Sequence, residues 1–344
     1  MKAITASAPG KAVLSGEYVV LDGASAVAVA LDRRATVSIS STSKRCHQLA
    51  APGLSAATWL FDDDSDAGLR WQDETASALF GLFECVWRQV RPVSNEALAV
   101  RIDSSQFRNG RDGAKLGLGS SAAVATSLTA GLQSLPSSPQ TDPAAIMRLA
   151  KAAHLEFQGG HGSGVDIATS VTGGIIKYEM DAAPFAFASD WPDGLLYRFL
   201  WSGKSAATAD RVRKFEDGMD TGSGEQSRSA LTESAAEIAL LWPDASAPQL
   251  LNSFARYTDL LRQFSDEYQL DIFVAGHDEV SALASTCGIV YKPCGAGGGD
   301  IGIALALSES SLTVFCDRAQ SLGFTILDVK PDWQGVVIET ESTE

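Results

Sequence analysis

KLGLGSSAAVAT, residues 115–126, sets two glycines and two serines at the mouth of an alanine-rich apolar run. Gly117 and Gly119 permit positive φ and close approach of other groups to the backbone. Ser120 and Ser121 then open a helix predicted over Ser120–Leu135. The free amides and positive dipole end of a helix start suit a phosphate, and hydroxyls placed there can bond phosphate or ligate Mg2+. A plain serine cap has the same local pattern, so this stretch alone leaves both readings open.

Three further segments change the odds. QGGHGSGVDIATSVTGG (158–174) is again glycine-rich and runs into a short apolar stretch. KPCGAGGGDIGIAL (292–305) has five glycines among fourteen residues yet ends in an apolar strand, which a flexible linker does not do. In SAPGKAVLSGEYVVLDG (7–23), Pro9–Gly10 predicts a turn, and Lys11 stands oddly close to the apolar Ala-Val-Leu for a solvated lysine. Two common phosphate motifs do not fit. GKSAAT at Gly203 lacks the glycine a P-loop needs five positions earlier, where Arg198 stands. GLGSSA lacks the strand–turn–helix unit and following acidic residue of a dinucleotide fingerprint.

The 344 residues suggest two domains, and 45% hydrophobic with 20% charged residues is an ordinary globular composition. A net charge of −15 argues against nucleic-acid binding. No run approaches the ~20 apolar residues of a membrane span, and the N-terminal residues lack a signal-peptide apolar region. Five scattered cysteines without a C-x-x-C pair read as reduced thiols in a cytoplasm.

Periodicity predicts a strand over Ala26–Ser40 and loop and hairpin over 45–75 with a solvated acidic tip at Asp62–Asp66. It predicts helices over Thr75–Val90 and Asp142–Gln158, the latter capped by Asp142. A polar loop is expected over Asp217–Ser229. Beyond it come helices, then a strand after Asp300, a helix near residues 310–323, and strands near 325–329 and 335–340. The mixture is α+β, with 181–196 as the expected junction and a division into 1–188 and 189–344.

The chain resembles the GHMP kinases. Their N-terminal P-G-K…G-E matches Pro9, Gly10, Lys11, Gly16 and Glu17; their G-L-G-S-S-A-A matches Gly117–Ala123; their C-terminal glycine loop matches Gly295–Gly299. The details are most similar to the phosphomevalonate kinase branch. Tyr18 stands where mevalonate kinases typically carry histidine, Lys115 precedes the central loop, and Ala153–Gly174 resembles the branch pattern A-H-x-x-x-Q-G…G-S-G-x-D. Gly162 and Ile167 replace the proline and asparagine typical of mevalonate kinases, and Asp300 replaces a glycine. Leu155 occupies the place of a mevalonate-kinase Mg2+ glutamate, with Glu156 one step away.

The resemblance implies a two-domain α+β fold, an N-terminal ATP-binding domain and a ferredoxin-like C-terminal one, with ATP in the cleft between the glycine loops. It implies ATP- and Mg2+-dependent phosphorylation of 5-phosphomevalonate to 5-diphosphomevalonate in isoprenoid precursor synthesis. The alternatives are mevalonate phosphorylation, a diphosphomevalonate decarboxylase, which the motifs disfavour, and a non-catalytic ATP-binding protein. Lys11 and Asp166 would be catalytic. Lys115, Gly117, Leu118, Gly119, Ser120, Ser121 and Ala122 would hold ATP, with Ser121 on the metal. Glu17, Tyr18, Ser163, Lys204, Ser205, Thr208, Gly295, Ala296, Gly297 and Asp300 would line the acceptor site. Lys115 and Lys204 are also candidates for the acceptor's own phosphate. The expected partner is a small phosphorylated molecule, with no nucleic acid or membrane, and a monomer or homodimer.

Overall fold

Strand β1 (Ile4–Ser15) runs straight through Pro9 and Gly10 in the computed structural model, which describes residues 3–64, 68–135, 142–180, 182–187, 190–206, 208–220 and 224–340. The turn predicted at Pro9–Gly10 is therefore replaced by an irregularity within a strand. Proline's fixed φ is tolerated at such bulges. Pairing with β2 (Ala26–Ser41) slips between Pro9, opposite Arg34, and Gly10, opposite Leu31. Gly10 is needed for space: a Cβ there would sit 2.6 Å from the Leu118 carbonyl oxygen and 2.7 Å from the Phe107 ring.

After β2 come β3 (His47–Ala50), β4 (Thr58–Asp64), β5 (Gly68–Trp71), α1 (Ala76–Val90) and β6 (Leu98–Asp103). Then follow α2 (Ser120–Gln133), α3 (Pro143–Phe157), α4 (Val165–Thr172), β7 (Ile175–Tyr178) and β8 (Phe185–Ala186). The second half holds β9 (Leu196–Trp201), α5 (Thr208–Asp220), α6 (Glu225–Leu241), α7 (Ala247–Glu267) and α8 (His277–Thr286). It ends with β10 (Val290–Pro293), β11 (Ile301–Ala306), α9 (Glu309–Ser321), β12 (Thr325–Leu327) and β13 (Val337–Thr340).

The first sheet runs β13-β1-β2-β6-β3-β4-β5, with β7 paired to β2 and β8 to β7; β3 and β6 run parallel. Its alanine-rich partner α2 lies close because Ala122 and Ala125, both fully buried, add almost no bulk against Val37 and Ile39. Asp142 caps α3 as predicted, accepting from the Ala144 amide at 3.0 Å. The hairpin β4–β5 takes up Asp62–Asp64, so these acids lie in a strand rather than a turn; positions 65 and 66 fall outside the described residues. The second sheet is antiparallel in the order β10-β11-β9-β12. With helices after its first and third strands, this is the ferredoxin-like βαββαβ order. Every residue of β11 is buried, which explains its unbroken apolar run.

Two sequence expectations shift. The polar stretch Asp217–Ser229 is mostly helical: α5 continues to Asp220 and α6 starts at Glu225. Its polarity belongs to the solvated sides of two helices whose Phe215 and Leu231 point into the core. The final strand β13 pairs with β1, so the C-terminal segment returns to the first sheet. All five cysteines are free thiols. Among the described residues no helix is long and apolar enough to cross a membrane.

Candidate active site

The central loop is built around β1. The Lys11 amide donates to the Leu118 carbonyl at 2.8 Å, which draws the glycine loop over the strand. Gly119 takes φ 78° as the N-cap of α2, and the Lys11 side chain runs where a Gly119 Cβ would be, 3.0 Å from its Cγ. The first turn of α2 thus presents Ser120 and Ser121, both half-buried, beside the lysine stem. On the other flank, Ser170 Oγ of α4 donates to the Pro9 carbonyl at 2.8 Å, fixing α4 against β1 with Asp166 in its first turn. The Ser163 turn leading into α4 is held from behind. Lys151 Nζ donates to Tyr178 Oη at 3.0 Å, and Tyr178 donates to the Ser163 carbonyl at 2.5 Å.

The third glycine loop arrives from the second sheet and meets the other two. Gly298 donates its amide to the Ile272 carbonyl at 2.8 Å, and the Arg211 guanidinium lies where a Gly298 side chain would be, 1.9 Å from the ideal Cβ position. The Asp300 amide donates to the Lys204 carbonyl at 2.7 Å, and Asp300 Oδ1 accepts from the Ala206 amide at 3.2 Å. Tyr18, in a left-handed conformation (φ 62°), donates its hydroxyl to the Ala296 carbonyl at 2.6 Å. Burial raises the Tyr18 hydroxyl well above its ordinary pKa, over the opposing pull of Arg211. It stays a neutral donor.

Between these loops lies a cavity of about 110 Å³ walled by Lys11, Tyr18, Ser163, Asp166, Gly295 and Ala296. The Lys11 ammonium reaches to 4.0 Å from the Cβ position of Gly295. Burial works to raise the Asp166 pKa, but the His154 ring, the Lys11 ammonium and the Ile167 amide, 3.1 Å from Oδ1, prevail and hold it below the usual carboxylate value. Among the described residues Lys11 forms no ion pair within 4.0 Å. Asp300 is the opposite case: burial prevails over the Ala206 amide, Lys11, Arg211 and Lys115, and its pKa is raised.

A second cavity, about 160 Å³, opens on the far side of the central loop. Leu54, Leu79, Phe83, Val124 and Phe157 form apolar walls, and Lys115, Ser120 and Ser121 stand at its polar margin. An apolar slot ending in hydroxyls, a cation and a helix start suits a flat heterocycle that carries phosphates.

Glu17 touches the first cavity, yet its carboxylate is committed to protein. It forms a buried ion pair with Lys292 and accepts from Tyr257 Oη at 2.6 Å, while Tyr257 accepts from the Gly16 amide at 2.8 Å. It therefore ties the first segment to α7 and β10. Lys115 lies at the second cavity and not the first. Lys204 and Ser205 are exposed on the loop that braces Asp300 and line neither cavity. Gly297 packs on Ile272 and Asp300 on Gly117, and neither lines a cavity; the Thr208 side chain lies outside the described ones. Glu156 points away from Ser121, pairing with Arg88 and accepting from Gln89 at 3.1 Å. The apolar slot, Lys151, Arg211 and Tyr257 escape sequence reading because each is contributed by a separate segment and looks like core or surface in isolation.

With two loop-bound cavities on this pair of sheets, the protein is a small-molecule kinase that carries a GHMP kinase N-terminal domain. The model of the GHMP kinases N terminal domain matches residues 82–174, spanning the central loop and the Ser163–Asp166 turn. A phosphomevalonate kinase of Streptomyces sp. (strain CL190) is 28% identical across 97% of this chain and 99% of its own length. A mevalonate kinase of Methanothermobacter thermautotrophicus is also 28% identical, over 62% of this chain and 64% of its own. The structure of Streptococcus pneumoniae phosphomevalonate kinase with phosphomevalonate and AMPPNP aligns with TM-score 0.77 at 17% identity, covering 96% of this chain and 100% of that one.

Proposed function

We propose that the protein transfers the γ-phosphoryl group of ATP to 5-phosphomevalonate, releasing ADP and 5-diphosphomevalonate. The observation that carries this reading is the position of Lys11. Its amide is bonded to the central loop and its ammonium lies at the wall of the smaller cavity, where a phosphoryl group passing between two bound molecules would need a cation. The heterocycle of ATP fits the apolar slot and its phosphates the start of α2. The choice of acceptor is supported by the near-complete overlap with the Streptomyces relative and by the ligands named for the Streptococcus neighbour.

In this reading an oxygen of the acceptor's phosphate bonds to the γ-phosphorus as the bond to the β-γ bridging oxygen breaks, and ADP carries away the electron pair. The acceptor's second pKa is ~6, so at neutral pH it is already mostly a dianion with no proton to lose. Lys11 balances its charge, Ser163 and Tyr18 shape the pocket, and Asp166 acts on Lys11 through charge along the same cavity wall rather than through an ion pair. Mg2+, when bound, would neutralise charge on the ATP phosphates. Ser121 and Asp166 supply the hard oxygen donors it prefers, although among the described residues no three acidic, histidine or cysteine side chains gather into a metal site.

The test is ADP release with mevalonate, 5-phosphomevalonate, galactose and homoserine offered side by side. Turnover of 5-phosphomevalonate alone is expected. Turnover of mevalonate with none of 5-phosphomevalonate would overturn the assignment, and nucleotide binding without ADP release would indicate a non-catalytic protein.

A further inference from the structure

Ser121 sits on α2, His154 near the end of α3 and Asp166 at the start of α4, and the three side chains meet. His154 is 2% exposed. Its Nε2 lies 3.0 Å from Ser121 Oγ, and its Nδ1 lies 3.9 Å from Asp166 Oδ2. We propose that His154 is a positioning residue that takes the Ser121 hydroxyl proton as a hydrogen bond, so that the serine oxygen faces a nucleotide-bound divalent cation with its lone pairs. This rests on the kinase reading above.

The geometry fixes the roles of the two ring nitrogens. A carboxylate has no proton to offer, so the nitrogen facing Asp166 is the one best placed to carry the N–H. In the neutral ring the other nitrogen, Nε2, then has a lone pair, and the only proton that can fill it from Ser121 is its O–H. A serine hydroxyl has one proton and two lone pairs. With the proton turned inward to His154, the oxygen can act toward the cleft only as an acceptor, which is what a hard cation requires. Left unconstrained, the same hydroxyl could rotate and donate to a phosphate oxygen. Glu156, the acidic residue of this helix end, is turned to the outer surface by Arg88 and Gln89, so His154 is the polar residue that α3 directs at Ser121. Outer groups that orient metal ligands typically change metal affinity or activity by about 10–100-fold when removed.

The test uses calorimetry of ADP binding to the whole protein, with Mg2+ and with chelator. Wild type should bind ADP more tightly with Mg2+. His154→Leu should lose most of that metal-dependent gain, by about 10-fold or more, while keeping the metal-free affinity. His154→Gln places an amide oxygen close to the Nε2 position and should recover much of the gain. The His154→Leu, Ser121→Ala double variant should be no worse than Ser121→Ala. Equal weakening with and without Mg2+, or no recovery in His154→Gln, would make His154 a packing residue and overturn the inference. An unchanged Mg2+ gain in His154→Leu would also overturn it, with the kinase reading intact. A wild type that binds no nucleotide at all would remove both.

Discussion

A Cβ on Gly117 would lie 2.3 Å from the Cβ of Asp300. The central loop of the first half and the third loop of the second therefore touch backbone to side chain. Gly117 is also left-handed at φ 76°, a conformation that costs an ordinary residue about 1–2 kcal/mol. Gly117→Ala should lose that amount plus a steric cost of about 1–3 kcal/mol. Asp300→Gly meets no backbone cost, since Asp300 is itself at φ 55°. Adding it to Gly117→Ala should recover the steric part and leave the φ part. Urea unfolding of the four proteins measures this, and simple additivity would mean that the two loops do not press on one another.

The apolar slot gives a prediction that separates nucleotide from acceptor. Leu54 is 49% exposed at its rim, so Leu54→Asp should fold normally. A carboxylate there opposes both an apolar ring and the phosphates beyond it. KM for ATP should rise by about tenfold, the equivalent of ~1.4 kcal/mol, with KM for the acceptor nearly unchanged. A selective rise in acceptor KM would exchange the roles of the two cavities.

Lys115 tests the same division from the polar side. Its place before the glycine loop suits either ATP or the acceptor's phosphate, and in the structure it lines the same cavity as Ser120 and Ser121. Lys115→Met should therefore weaken ATP by about 10- to 150-fold, the equivalent of the ~1.5–3 kcal/mol of a charge-assisted hydrogen bond, and weaken the acceptor less. Steady-state kinetics with each substrate varied in turn decides it.

His277 supplies a pH dependence. It is fully buried, its Nε2–H donates to the Gly299 carbonyl at 3.0 Å, and its Nδ1 accepts from Tyr291 Oη at 2.7 Å. Burial pushes its pKa down from 6.5 to about 4, against the Gly299 hydrogen bond and Asp278. Below pH 6.5 the unfolded chain takes up a proton that the native ring refuses until about pH 4. Stability linked to this residue is therefore full above pH 6.5 and is lost as pH falls toward 4. At ~1.4 kcal/mol per pKa unit the loss is on the order of 3 kcal/mol. His277→Gln should show a flatter fall in unfolding free energy between pH 7 and 5 than wild type; parallel curves would mean that the ring is not the titrating group.

The glycine loops are legible in sequence because glycine is chosen for one local reason at a time, and Gly117 and Gly119 show that reason in their φ values. The helix at Ser120 and the strand after Asp300 follow from runs whose burial is uniform. Pro9–Gly10 misleads because a strand can absorb a proline at a bulge, which only the partner strand β2 reveals. The role of Glu17 is hidden for a similar reason: Lys292 and Tyr257, which bind its carboxylate, lie 275 and 240 residues away. His154 carries a local signal, the A-H-x-x-x-Q-G pattern, but its meaning depends on where α2 and α4 bring Ser121 and Asp166.

In the proposed reaction the chemistry turns on Lys11 and Asp166. A base must gain a proton from the acceptor, and Asp166 is held below the ordinary carboxylate pKa, which makes it a poor one. A phosphate acceptor with a second pKa of ~6 needs none at neutral pH, but it does need a cation, and Lys11 stands at the wall of the same cavity. Asp166→Asn should therefore lose less than the ~10²–10⁴-fold typical of a missing general base. Lys11→Met should lose more than Asp166→Asn. In wild type and Asp166→Asn alike, kcat/KM should rise with pH through the acceptor's own second pKa, since the group that titrates belongs to the substrate. The measurement is kcat/KM against pH for the three proteins. Near-complete inactivity of Asp166→Asn, with Lys11→Met hardly affected, would restore an aspartate base and point to the alcohol of mevalonate as the acceptor.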